Sequence, residues 1–318
     1  MKKFRIIFIL FISVVAFTFA EDLSTKGKFT VGTFSDATYT YDEEYFVKQG
    51  TFYFPKNTSG KLPCAIMIHG WNGSADGFVP FAEHMASHGT IVFLYSAIDM
   101  AKPFQWPDHI IAAYHIVENE NKRRGSVLYN KIDESKIALI GHSMGGSGVL
   151  HTTANESPNG LKGKIKTVLA LNPYNGGPDM IDLVGGKNVE MKENVAGINV
   201  PTIIITGSAD AVASPWNSYA FFPTIKENVK RVFISVKGMG HIDWYGNKPN
   251  EDYLKTMKKV LVAWLYAYLQ DKSEYRSYFE DVSGSNFQTQ IKVKLANKPL
   301  PLLPPAAKQK PFPAYEIK

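Results

Sequence analysis

Past residue 20 the chain alternates short apolar runs rich in β-branched residues with longer stretches whose apolar positions recur at helical spacing. Seven runs predict strands: Thr51 to Phe54, Cys64 to Ile68, Thr90 to Tyr95, Lys136 to Ile140, Thr167 to Leu171, Thr202 to Thr206 and Val232 to Val236. The later runs carry no polar alternation, as strands covered on both faces should not. Between the runs, Phe78 to Ser87, Asp108 to Arg123, Met144 to Asn155, Trp216 to Ile225 and Glu251 to Leu269 predict helices. In the last, Leu254, Met257, Leu261, Trp264, Leu265 and Tyr268 form one core-facing stripe. This alternation predicts an α/β fold, a mostly parallel central sheet with helices on both faces. Residues 21–280 read as one domain. Residues 281–318 read as an extension, whose six prolines between Pro299 and Pro313 favour extended chain over helix or central strand.

The first twenty residues have a different pattern. Met1-Lys2-Lys3-Phe4-Arg5 precedes an apolar run from Ile6 to Ala20 that closes on Thr18-Phe19-Ala20 before Glu21, the order of a secretory signal cleaved after Ala20. The run is shorter than the ~20 apolar residues that span a bilayer. The expected location is therefore secreted or periplasmic. This leader also changes the meaning of the charge. The chain has 35 basic and 29 acidic residues, a formal +6, but three of the basic residues lie in the leader, so about +3 remains after cleavage. That weakens the electrostatic case for a nucleic-acid partner; none is expected, and no membrane association after signal removal. With 45% hydrophobic and 20% charged residues the chain can bury a core unaided. Cys64, its single cysteine, excludes an internal disulfide, a cysteine-rich zinc module and an iron–sulfur cluster.

The strongest chemical signal is Gly141-His142-Ser143-Met144-Gly145-Gly146, between a predicted strand and a predicted helix. Glycines on both sides of a serine allow a tight strand-to-helix turn that pushes the hydroxyl outward, which makes Ser143 the candidate nucleophile. A serine needs a base, and the base needs a carboxylate to fix its tautomer. In this fold class they follow in the order serine, acid, histidine on loops after later strands. Asp210 follows the Thr202 strand and His241 the Val232 strand. Asp99, Asp179, Asp182 and Asp243 are competing carboxylates, none of which follows a buried strand in that order. Among the other histidines, His115 and His151 fall in helical patterns and His69 precedes a turn. His84 and His88, one helical turn apart without a third ligand, read as a solvated face. His142, adjacent to the nucleophile, is expected to line the cleft as a substrate contact. An oxyanion needs two donors: the N–H of Met144 is one, and the turn His69-Gly70-Trp71-Asn72-Gly73 can supply another through Trp71.

These features together make the chain resemble the bacterial cutinase and poly(ethylene terephthalate) hydrolase family of α/β-hydrolases, nearly colinearly from Gly27 to Phe279. The resemblance rests on Gly27-Lys28-Phe29-Thr30-Val31, Thr51-Phe52-Tyr53-Phe54-Pro55, Ala86-Ser87-His88-Gly89, the Ser143 elbow, Asn172-Pro173-Tyr174, Asp210-Ala211-Val212-Ala213-Ser214-Pro215 and Gly240-His241. It implies Ser143, Asp210 and His241 as the triad, Trp71 and Met144 as oxyanion donors, and Trp71 and Tyr174 as aromatic grips on the acyl group. Tyr174 stands where the family usually has tryptophan, and the family's C-terminal disulfide is missing. The stretch from Gly176 to Val200 is longer than in the family. The expected activity is hydrolysis of carboxylic esters, small-molecule, lipid or polyester, with no metal or organic cofactor. A lipase-like or acetylhydrolase-type enzyme is the nearest alternative, and a catalytically silent binding protein the alternative of another class.

Overall fold

The computed structural model describes residues 21–35, 47–97, 106–155, 160–176, 192–280 and 293–296. The leader, the proline-rich segment, and Asp99, Asp179 and Asp182 lie outside them. Among the described residues, nine strands form one sheet: β1 (Val31–Ser35), β2 (Val47–Pro55), β3 (Leu62–Ile68), β4 (Ile91–Ala97), β5 (Ile132–His142), β6 (Thr167–Leu171), β7 (Thr202–Gly207), β8 (Arg231–Val236) and β9 (Val293–Ala296). Their order is β1-β2-β4-β3-β5-β6-β7-β8-β9. From β4 through β8 every neighbouring pair is parallel, while β1, β2 and β9 pair antiparallel at the edges. All seven expected strands are present. The two that the apolar pattern missed, β1 and β9, are the sheet's two edges, and in β1 only one of five residues is buried, which leaves little hydrophobic signal. β9 lies beyond residue 280 and pairs antiparallel with β8.

Among the described residues, five α-helices cover the sheet: α1 (Val79–Ser87), α2 (Trp106–Lys122), α3 (Met144–Ala154), α4 (Pro215–Tyr219) and α5 (Glu251–Tyr268). Trp106 and Ile110 of α2, Val149 of α3 and Tyr219 of α4 pack one face. Phe81 and Met85 of α1 and Leu261 and Trp264 of α5 pack the other. The expected helix Trp216 to Ile225 is shorter, ending at Tyr219 before a 3-10 turn at Phe222–Thr224. Pro223 explains the break, since it has no N–H for the ladder and its ring crowds the preceding turn. In α5 the Asn250 side chain accepts from the N–H groups of Asp252 and Tyr253, and acidic Glu251 and Asp252 occupy the first turn, as an N-terminus favours. The six stripe residues of α5 are buried, and so are Val260, Val262, Ala263, Tyr266 and Ala267. A further 3-10 turn, Ser273–Phe279, folds back over the helix, stacking Phe279 edge-on against Trp264 of the stripe at 4.8 Å and setting Tyr275 4.8 Å ring to ring from Tyr266, on a side that local spacing marks as open.

His84 and His88 are not on a solvated face. Both are buried, at 6% and 4% exposure, and His84 Nε2 donates to Leu23 O while His88 Nε2 donates to Thr25 O. The Tyr266 hydroxyl donates to His88 Nδ1. The two histidines thus clip residues 21–30 against α1 and α5.

Candidate active site

The carboxyl ends of the parallel strands converge on one rim, so residues far apart in sequence meet there. β5 delivers Ser143, β6 delivers Asn172, β7 leads to Asp210 and β8 to His241. Ser143 has φ 54° and ψ −121°, a conformation that costs a non-glycine residue about 1–3 kcal/mol. Its surroundings hold it there. Ser143 N–H donates to Leu171 O at 2.9 Å, while Ser143 O accepts from Tyr174 N at 3.0 Å and Ser147 N at 3.1 Å. Glycine is obligatory beside it: a Cβ on Gly145 would lie 2.2 Å from His69 O, and one on Gly141 would lie 2.1 Å from Gly145 O.

His241 Nδ1 donates to Asp210 Oδ2 at 2.8 Å. The Asp210 side chain is fully buried and that of His241 only 9% exposed, so solvent screens this contact poorly. Every other lone-pair direction of the carboxylate is used: Oδ1 accepts from Val212 N at 2.9 Å and Ala213 N at 2.8 Å, and Oδ2 also accepts from Asn172 Nδ2 at 2.7 Å. Asn172 in turn accepts from Trp244 Nε1 at 3.2 Å. Asp243, a competing carboxylate, accepts from Gly240 N at 2.7 Å and closes the loop that carries His241.

His142 donates through Nε2 to His241 O at 3.1 Å and lies 4.6 Å ring to ring from His241. Burial, and then the neighbouring His241, hold its pKa well below that of a free imidazole, so it stays neutral. Phe78, Trp244 and Tyr245 surround it. At 2% exposure His142 supports the histidine loop from beneath. The sequence reading of His142 and Tyr174 as substrate contacts therefore meets a different arrangement. Tyr174 is 0% exposed in the core, with its N–H on Ser143 O and its carbonyl accepting from Ser147 Oγ. Both support the elbow and the histidine loop.

Trp71 is half-buried in the turn after β3, where Gly73 N donates to Gly70 O at 3.1 Å. That turn crosses directly beside the serine: a Cβ on Gly70 would come 2.5 Å from Ser143 Cβ. Met144 opens α3, and the first N–H groups of a helix have no acceptor within it. His69 is a framework residue whose Nε2 accepts from Ala97 N at 3.1 Å while Nδ1 donates to Gly70 O. The Asn172–Trp244 pair escapes motif reading. In the sequence, Asn172 enters only within the Asn172-Pro173-Tyr174 stretch directly after a predicted strand, with nothing to mark its side chain or Trp244.

Residues 20–296 match the PETase family, described as PET hydrolase-like. Cutinase 1 of Thermobifida cellulosilytica is 26% identical over 234 residues, 72% of this chain and 76% of that protein. A cutinase of Thermobifida fusca is also 26% identical over 234 residues, covering 72% of this chain and 66% of its own length. A bis(hydroxyethyl) terephthalate hydrolase of Streptomyces coelicolor is 23% identical over 236 residues, covering 72% and 64%. The sheet order, the crossover helices and the span of this match agree: the chain belongs to the PET hydrolase-like family, has its α/β-hydrolase fold, and is a carboxylic ester hydrolase.

Proposed function

We propose that the protein is an exported serine esterase, cutinase-like in substrate class, that works through an acyl-enzyme on Ser143. The observation that carries this reading is the buried Asp210–His241 hydrogen bond on the same rim as a serine held at φ 54°. Ser143 Oγ attacks the ester carbonyl and His241 Nε2 takes its proton. Asp210, hydrogen-bonded to Nδ1, keeps the imidazole in the tautomer that leaves Nε2 free to accept, and stabilises the imidazolium. The N–H groups of Trp71 and Met144 stabilise the oxyanion, and losing one such donor costs about 3 kcal/mol in the chemical step. His241 then protonates the leaving alcohol, and water hydrolyses the acyl-enzyme with the proton moving the same way in reverse. The proton balance closes on these residues, so no metal or organic cofactor is required.

Trp71, half-buried in the turn that passes Ser143, is the aromatic face for the acyl group, whereas Tyr174 is buried. Export follows from Met1 to Ala20, and the family match beginning at residue 20 supports a mature chain starting near Glu21. Ser143→Ala should abolish fluorophosphonate labelling and lower ester hydrolysis by at least about 10⁴-fold. Turnover near wild type would refute the nucleophile. A panel of short and long p-nitrophenyl esters alongside a polyester film reads the substrate class; activity on short esters alone would remove the cutinase-like part.

A further inference from the structure

We propose that Asn172 is a positioning residue of the ester-cleaving site, tying the acid to the nucleophile and to the histidine's own loop. The proposal rests on the reading of Ser143, Asp210 and His241 given above. Asn172 follows β6 directly and is fully buried. Its φ of 44° is left-handed, a conformation asparagine tolerates better than most residues. The identity of its partners fixes the direction of its amide. Trp244 Nε1–H can only donate, so it must face the amide oxygen; an ionised Asp210 can only accept, so it must face the amide nitrogen.

The consequence is mechanical. Asp210 Oδ1 is pinned by its own loop through Val212 N and Ala213 N, whereas Oδ2 meets, among the described residues, two donors from outside that loop, His241 Nδ1 and Asn172 Nδ2, of which Asn172 is the one that does not take part in proton transfer. The Asn172 backbone N–H donates to Ile205 O at 2.6 Å, and the flanking residues Leu171 and Tyr174 bond the N–H and C=O of Ser143. One short segment therefore grips the nucleophile by its backbone and the acid by a side chain. Trp244 lies three residues after His241, so the same amide reaches the histidine loop as well. As His241 becomes an imidazolium, the Asn172 N–H keeps Oδ2 aligned with Nδ1 instead of allowing it to turn away.

Two variants test this without adding left-handed strain. Asn172→Gly removes the amide, and Asn172→Asp keeps its shape while replacing a donor by an acceptor. Both should lower kcat by about 10- to 100-fold, the Asp variant more, with KM within about twofold. The downfield proton resonance of His241 Nδ1–H should shift or broaden in each. Trp244→Phe, which releases the amide oxygen, should lower kcat in the same direction and add no further loss to Asn172→Gly. A folded Asn172→Gly with wild-type kcat and an unmoved resonance, in a protein whose Ser143→Ala variant is dead, overturns the proposal alone. An active Ser143→Ala instead overturns the reading beneath it. Should both Asn172 variants fail to fold, Trp244→Phe decides: unchanged kcat and resonance reject the role.

Discussion

Ser143 sits in a backbone conformation that its own side chain disfavours, and the surrounding glycines are what make it attainable. Gly145, like Gly141, is constrained by backbone: the atom that its side chain would meet at 2.2 Å is a backbone oxygen, His69 O, which cannot rotate away. Gly145→Ala should therefore shift α3 against the turn after β3, the turn that also carries Trp71. The expected result is a loss of about 1–3 kcal/mol in stability, typical of overpacking, together with slower fluorophosphonate labelling. Urea unfolding and labelling rates measure the two effects separately. Wild-type values of both would show that the turn has slack that the contact does not suggest.

At the scale of elements, the attachment of residues 21–30 to α1 and α5 runs through two neutral histidines. Burial, more than any other influence, lowers the pKa of His84 to about 4, with the bond to Leu23 O opposing it and His88 adding to it. His88 is lowered too, again chiefly by burial. An unfolded histidine titrates near 6.5, so between about 6.5 and 4 the unfolded chain binds protons that the folded chain refuses. Stability is then full above 6.5 and falls as the pH drops through that window, by on the order of 3 kcal/mol for His84. His84→Gln keeps a donor for Leu23 O but cannot titrate. Its unfolding free energy should fall less steeply with acid than that of the wild type, and parallel slopes would count against the clip as the source.

At the scale of the whole molecule, the sheet is a ladder whose final rung comes from beyond the helical pattern. β9 covers the outer edge of β8, pairing Ala296 with Phe233 and Val293 with Val236. β8 leads into the loop that carries His241, so the edge and the site share a strand. A chain ending at residue 280 would leave the β8 edge unpaired, an invitation to intermolecular pairing. We expect that truncation to aggregate on mild heating, and a chain ending at Ala296 to stay monodisperse by light scattering. Equal behaviour of the two would assign β9 no protective role.

Some of this was open to inspection in the residue order alone. Unalternated apolar runs mark the buried parallel strands, the α5 stripe marks its core face, and the Gly-x-Ser-x-Gly turn with Asp210 and His241 after later strands marks the candidate chemistry. These are local facts, because burial on both faces, helical period and turn chemistry each act within a few residues. The edge strands were hidden because one-sided pairing demands little of the side chains. The length of α4 was visible in Pro223 but outweighed by the apolar residues around it. The assignments of His84, His88, His142, Tyr174 and Asn172 depended on the tertiary structure: whether a histidine clips a segment or faces water, and whether an asparagine holds an acid, is decided by which loops arrive at the same rim. Spacing along the chain determines what each element is; only packing determines what each polar side chain finds when its own backbone offers it no partner.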